Sequence, residues 1–502
     1  MGSCAFGIIF QPYCRERLGR PRPERSRAHA RAYFGGDFDL TPLSWLYLMR
    51  HDSSEKLTRK SVMVLTSRLA ASVVSLILAV VLARVLGPSG RGEFALAFLL
   101  PTVLILLVEC GLESTGVYFT AKRKECAGRL LGSMLLVCFI AGAFGIVAGW
   151  LTVVLYGGAL FPGVSQQALF VSVWVIPGRL LAGLMRGLFL GGGYTREYCW
   201  LEFLQTPLWL LGVVILLCSV GLRVSGVMWA SVFSFAAVGV LGLTWSLRMS
   251  SGARKIRAHW GVIRDTLSFG LRLQPASVLN FLNYRLDILL LGHLSDQASV
   301  GFYVVAVALA EKLWLLSRSM SIALFSSLSG DLHPGLRRDM TAKTARILLV
   351  FLVLVGISMA LVAVPVINVL FGAEFSAASD ALRALLPGVI MLGLAQVFGV
   401  DVTARGRPGL SSWTGLVGLL VNVGLNLWWI PRYGILGAAW ASSVSYGVIF
   451  LQRLGLYIYF SKAEVWWLFR LRGDDIREAK VLLSGWYNNL KDFAVRLFKY
   501  QR

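Results

Sequence analysis

Apolar residues run in long, nearly uncharged blocks separated by short polar stretches. Residues 62–86 and 347–371 are two such blocks. A helix needs about 20 apolar residues to cross about 30 Å of hydrocarbon, and both blocks are longer than that. The pattern predicts helical spans at about 62–86, 93–120, 130–155, 167–193, 200–221, 224–247, 266–292, 299–328, 346–371, 380–404, 409–431 and 435–460. The expected class is therefore all-α: a polytopic membrane protein of about 12 transmembrane helices.

Composition supports that class. Of 502 residues, 56% are hydrophobic and 15% charged, against about 25% charged in a soluble domain. The net charge of +23 would suggest nucleic acid in a soluble chain, but here the basic residues fall in loops and tails. One set of loops carries Lys122, Arg123, Lys124 and Arg129, then Arg196, then Arg248, Arg254, Lys255, Arg257 and Arg264. It continues with Arg337, Arg338 and Lys343, then Arg405 and Arg407. The alternate loops are nearly free of Lys and Arg, which predicts that both termini are cytoplasmic. An even number of spans likewise puts both termini on one side. No nucleic-acid partner is expected; membrane lipids are.

The seven cysteines suggest no disulfide framework, the histidines show no zinc spacing, and no nucleotide-binding or hydrolase motif is found. The expectation is a non-enzyme with no cofactor and no metal centre, in which proton or sodium coupling stays open.

Outside the spans, residues 1–60 read as a basic cytoplasmic tail without structure, because an Arg/Pro-rich segment this poor in apolar residues cannot offset its ordering entropy. Met49 would open a shorter chain. Residues 61–250 and 266–460 read as two six-helix lobes joined by a cytoplasmic linker at 251–265. Residues 461–502, where Trp466, Trp467, Phe469 and Trp486 interleave with Arg and Lys, suit amphipathic helices on the cytoplasmic face.

The lobes look like copies of one another. Gly226-Val-Met-Trp229-Ala230-Ser231, followed by Ser234-Phe235, recurs as Gly437-Ala-Ala-Trp440-Ala441-Ser442, followed by Ser445-Tyr446. Pro177-Gly178 with Gly183-Leu184 recurs as Pro387-Gly388 with Gly393-Leu394, and Gly92-x-Phe94 recurs as Gly301-x-Tyr303. The order and the offset stay constant, which shared packing chemistry alone does not explain. Six spans per copy make the repeat parallel. Two such lobes leave a cleft that rocking would open to alternate sides.

Charge within spans is costly and calls for a cavity or a partner. In the seventh span Arg272, Asn280, Asn283 and Asp287 fall on one helical arc, with Arg285 opposite and paired elsewhere. Glu311 and Arg318 share a face in the eighth span, and Glu109 and Glu113 in the second. Arg68 and Glu113 lie at similar depth on adjacent spans, which predicts an ion pair between them. In the fourth span Arg179 and Arg186 share a face beside the packing residues Gly183, Gly187 and Gly191. Asp401 and Arg405 are spaced for an i,i+4 pair, and Asn422 and Asn426 for hydrogen bonding between helices. The intramembrane excess is cationic, which suits a phosphate-bearing substrate. Candidate phosphate contacts are Arg68, Arg186, Arg272 and Arg318, with Asn280 and Asn283. Candidate ion-coupling or ion-pair carboxylates are Glu109, Glu113, Asp287 and Glu311.

Several of these motifs carry a resemblance. Ala404-Arg-Gly-Arg-Pro408, Val421-Asn422-x-x-Leu425-Asn426 and Ile430-Pro431-Arg-Tyr433-Gly434-Ile-Leu-Gly437-Ala438-Ala439 resemble the polysaccharide transporters, the O-antigen-type oligosaccharide flippases of the multidrug/oligosaccharidyl-lipid/polysaccharide superfamily. So do Leu82-Ala-Arg84-x-Leu86-Gly87-Pro88-x-Gly90-x-Gly92-x-Phe94 and Asp287 followed by Gly301-x-Tyr303-x-x-Ala306. The resemblance covers about 60–460. It implies a two-lobed, alternating-access flippase in a bacterial inner membrane. The implied substrate is undecaprenyl-diphosphate-linked oligosaccharide, moved from the cytoplasmic to the periplasmic leaflet; polysaccharide polymerases and glycosyltransferases are implied partners. A peptidoglycan-precursor (lipid II) flippase is the alternative, although 461–502 is too charged for the two further spans such proteins usually carry. A cation-coupled multidrug exporter fits the charge sign less well.

Overall fold

The computed structural model describes residues 42–122, 127–220, 224–249, 257–328 and 333–462. These form fourteen α-helices in chain order, with no strand among the described residues. They are α1 (Pro42–Val108), α2 (Leu112–Lys122), α3 (Ala127–Leu160), α4 (Gln166–Val173), α5 (Val175–Gly192), α6 (Thr195–Val220) and α7 (Val224–Met249). They continue as α8 (Trp260–Leu294), α9 (Gln297–Ala310), α10 (Trp314–Leu328), α11 (Pro334–Leu361), α12 (Ala363–Leu370), α13 (Ala378–Ala404) and α14 (Pro408–Ser461).

Among the described residues, nine stretches are long and apolar enough to cross a membrane. Two of them each hold two spans, because α1 breaks at Gly87 (φ 67) and α14 at Gly434 (φ 53). Pro88 adjoins the first break, and Pro431 lies three residues before the second. Proline removes a backbone donor, and glycine accepts the left-handed conformation at no steric cost. Helix α8, at 35 residues, is long enough to cross as well but more polar than these stretches. The helical, polytopic fold expected from the hydrophobic pattern is the fold observed.

Four expected spans prove to be interrupted. The second breaks between Val108 and Leu112, where Cys110 (φ 45) and Gly111 (φ 62) are both left-handed. The fourth divides at Trp174, the eighth at a 3₁₀ turn over Glu311–Leu313, and the ninth at Val362. At Trp174 and Val362 periodicity alone does not reveal the break, since the apolar run continues through it. The first helix starts at Pro42. The sequence has no glycine or proline between Pro42 and Gly87 to stop it. Residues 1–41, most of the 251–265 linker's basic stretch and nearly all of the 461–502 tail lie outside the described residues.

Contacts divide the described residues into two compact units. The first holds those up to Ala79, Ala97–Leu160 and Val164–Ser277; the second holds Val80–Leu96, Phe161–Gly163 and those from Val278 onward. In the first, α5 is central and packs on α2, α3, α6 and α7. In the second, α13 packs on α9, α10, α11 and α14. Residues 80–96 pack with the second unit because Gly92 lies against the Gln297 carbonyl and Gly301 against that of Pro88. Gly270 of α8 meets the Cys110 carbonyl inside the first unit.

The repeat is visible in the packing of each unit. Gly178 sits against the backbone of Phe235 and Ala236, and its counterpart Gly388 sits against Ser443. Ser234 donates to the Gln205 carbonyl at 2.7 Å, and its counterpart Ser445 donates to the Gly418 carbonyl at 2.7 Å.

Candidate functional site

Each unit carries a polar cluster within its spans. The cluster of the first unit centres on Arg186. Helix α5 presents Gly187 and Gly191 to the backbone of Glu113 and Val117, with no room for a side chain at either glycine. This glycine stripe lets α5 and α2 approach closely and puts the Arg186 guanidinium beside two carboxylates. Its Nη2 lies 3.5 Å from Glu113 Oε2, and its Nε 3.4 Å from Glu202 Oε2. Glu113 stands in the first turn of α2, where the helix dipole favours an anion.

Arg68 does not pair with Glu113, contrary to expectation. Its Nη2 donates to the Tyr198 hydroxyl at 3.0 Å, and Arg186 takes Glu113 instead. Equal depth did not settle the pairing, because the glycine contact brings α5 nearer to α2 than α1 comes. Arg179 donates to the Thr102 hydroxyl at 3.3 Å and lies over the Phe235 ring. The break at Cys110–Gly111 separates Glu109 from Glu113, so the two no longer share one helix face.

In the second unit Arg285 and Glu311 form a fork-to-fork pair, with Nη1 2.9 Å from Oε1 and Nη2 3.2 Å from Oε2. Arg285 therefore does pair away from the α8 stripe, as expected. The 3₁₀ turn at Glu311 disrupts the register that placed Glu311 and Arg318 together. Arg318 is exposed and lies over the Trp314 ring.

Beside this pair, buried Asp287 accepts hydrogen bonds from the Tyr303 hydroxyl, from the Ser442 hydroxyl at 3.2 Å and from the Ile288 amide at 2.8 Å. Asn422 donates onward to the Ser442 hydroxyl at 3.4 Å, and Asn426 to the Asn422 carbonyl oxygen at 2.9 Å. The expected hydrogen bonding by the two asparagines is thus present, and the Asn426 side-chain oxygen stays without a partner. A small, partly open pocket is lined by Asp287, Glu311, Tyr284, Tyr303, Trp314 and Tyr446 among others.

The α8 stripe is not one continuous surface. Arg272 is exposed in the first unit and Asn280 half-buried in the second. Asn283 is buried and donates to the Gly415 carbonyl at 3.0 Å. At the end of α13, buried Asp401 forms the expected pair with Arg405 at 2.6 Å.

Sequence reasoning missed Glu202, Tyr198, Tyr303 and Ser442 as cluster members. Tyr303 and Ser442 were visible as repeat positions, but a repeat alone does not distinguish packing from hydrogen bonding. Glu202 had one signal, a carboxylate seven residues inside an apolar helix.

Residues 204–380 match the family model described as "Polysaccharide biosynthesis protein". A probable low-salt glycan biosynthesis flippase of Haloferax volcanii is 24% identical over 290 residues, covering 57% of this chain. The chain spans 57% of that relative's length. Among solved structures, a lipid II flippase in an inward closed conformation superposes with a TM-score of 0.68, at 14% identity, over 86% of this chain and 99% of that one. An inward-facing multidrug resistance transporter of the MATE family superposes at 0.62, at 14% identity, over 80% and 98%. At such identity these two likenesses establish the fold. Together with the sequence matches they support the resemblance to the polysaccharide flippases that the motifs carry.

Proposed function

We propose that this multi-pass membrane protein, whose sequence and fold resemble those of the polysaccharide flippases, moves a lipid-diphosphate-linked oligosaccharide between leaflets. The direction is from the cytoplasmic to the outer face of the bacterial inner membrane, with both termini cytoplasmic, as the Lys and Arg asymmetry of the loops suggests. The observation that carries this reading is the set of guanidiniums within the spans. Arg68 and Arg186 are partly accessible, and Arg272 and Arg318 are exposed. Guanidinium binds phosphate oxygens in pairs with fixed geometry, and a lipid diphosphate presents such oxygens. The glycan extends into water and needs few contacts. In this reading the protein transports and catalyses no covalent step.

Coupling to a proton or sodium gradient fits Asp287. It is a buried carboxylate beside a small pocket, with the Tyr303 and Ser442 hydroxyls against it. Such a group is a natural ion site in a membrane. The same feature favours a second reading, a cation-coupled exporter of small organic molecules.

The test is reconstitution into liposomes with a fluorescent undecaprenyl-diphosphate-linked oligosaccharide, reading leaflet transfer for the native chain and for Arg272→Ala and Arg318→Ala. Protein-dependent transfer that falls in the variants is expected. Transfer that persists in both keeps the flippase and moves the phosphate contacts elsewhere. No transfer across several lipid-linked sugars favours the exporter.

A further inference from the structure

The Arg186 cluster has an electrostatic peculiarity. One guanidinium sits between two carboxylates, Glu113 and Glu202, so that triad carries one net negative charge. Arg68, held by Tyr198 on the same helix as Glu202, brings the group of four to neutrality. The contacts are loose: 3.5 and 3.4 Å, neither of them a fork like that of Arg285 with Glu311. The Nε atoms of both Arg68 and Arg186 are buried without a hydrogen-bond partner. The three triad side chains stay 15%, 26% and 30% exposed, so an anion can reach them.

A guanidinium offers five donors in a fixed fork, and a single diphosphate can take several of them at once. Two separate carboxylates on different helices, α2 and α6, cannot match that geometry. Both guanidiniums thus keep N–H capacity, Arg186 against two loosely held carboxylates and Arg68 against the Tyr198 hydroxyl. The neighbouring charged groups on the packed elements are Glu109 and Arg179, which offset each other. Glu113 and Glu202 thus occupy the place where a substrate anion would bind.

We infer that Arg186, with Arg68 beside it, is a diphosphate-binding position in the first unit, and that Glu113 and Glu202 are internal anions exchanged for the substrate's phosphate oxygens. The inference rests on the lipid-diphosphate reading above and adds a role for the two carboxylates. When the substrate arrives, Arg186 turns from Glu113 and Glu202 to the phosphates. When it leaves, the carboxylates reclaim the guanidinium, so the empty site never holds an unpaired buried cation. This opposes tight binding and favours release, which a transporter needs.

The arrangement predicts opposite effects for the two kinds of residue. Removing a competing carboxylate improves anion binding, whereas removing the guanidinium abolishes it. A purely structural ion pair would instead weaken the protein whichever partner is removed. The experiment measures binding of undecaprenyl diphosphate, without sugar, to the purified full chain in nanodiscs. Glu113→Gln and Glu202→Gln are expected to tighten binding by about tenfold each, since each removes a unit charge within a few ångströms of the anion. Arg186→Gln is expected to weaken it by at least about tenfold, and Arg186→Lys to recover part of the loss. Thermal unfolding of each variant identifies misfolded samples, and the two glutamine variants test the idea even where Arg186→Gln does not fold. Unchanged or weaker binding in both glutamine variants, with the native chain binding normally, overturns the inference and leaves the flippase reading intact. Failure of the native chain to bind the lipid diphosphate overturns both.

Discussion

Gly92 and Gly301, which the internal repeat equates, lie against each other: Gly92 meets the Gln297 carbonyl and the Gly301 amide, and Gly301 meets the Pro88 carbonyl and the Gly92 amide. Neither position has room for a Cβ. The contact joins the segment after the Gly87 break to the start of α9. Gly92→Ala and Gly301→Ala are each expected to destabilise the protein by about 1–3 kcal/mol, the usual cost of overpacking. Thermal unfolding in detergent checks this. Gly424→Ala, where a side chain meets open space, is the control and should shift little.

Arg285 and Glu311 hold each other through two hydrogen bonds within the second unit, with side chains only 18% and 27% exposed. Removing one partner leaves the other charge poorly solvated. Glu311→Gln and Arg285→Gln are each expected to cost about 2–3 kcal/mol, somewhat below the range for a fully buried pair. The double variant should cost less than the two losses added together. A double-mutant cycle on unfolding reads that coupling, and simple additivity would remove the pair from the account.

Asp287→Asn keeps the shape of the side chain and an oxygen that Tyr303 and Ser442 can still donate to. It removes the charge. The expected result is a folded protein whose transport no longer responds to an imposed proton or sodium gradient. Liposome transfer measured with and without each gradient decides it, and a gradient response equal to the native one moves the coupling away from Asp287.

Asp296 lies outside the spans, at the N-terminus of α9. Its carboxylate is held below the ordinary aspartate range, chiefly because it accepts a hydrogen bond from the Ser299 hydroxyl. A carboxyl depressed in the folded state stabilises above its unfolded pKa of about 3.9 and loses that effect as pH falls through the lower folded value. The stability difference between the native chain and Asp296→Asn should therefore stay constant from neutral pH to about 4 and shrink below that. Unfolding curves across this range test it.

Much of this protein is legible from sequence. Span positions follow from hydrophobic run length, because a helix satisfies its own backbone hydrogen bonds and can therefore lie in lipid wherever its side chains are apolar. The repeat follows from spaced glycines and serines, and the structure gives them equivalent partners in Gly178 with Gly388 and Ser234 with Ser445. The Asp401–Arg405 pair follows from helical spacing alone, since both residues stand at the end of one helix.

Partner choice between helices is what the sequence left undecided. It places Arg68 and Glu113 at similar depth, but depth is one coordinate of three. The Gly187 and Gly191 contacts with α2 fix the lateral distance that gives Glu113 to Arg186 and leaves Arg68 to Tyr198. The breaks at Cys110–Gly111 and Glu311–Leu313 likewise reset which residues share a face. Local propensity is indifferent there, and packing between helices decides. The sequence by itself determined the class, the order and the internal repeat of the spans, while the tertiary structure alone decided which charges on different helices meet, because that depends on distances between helices that no periodicity encodes.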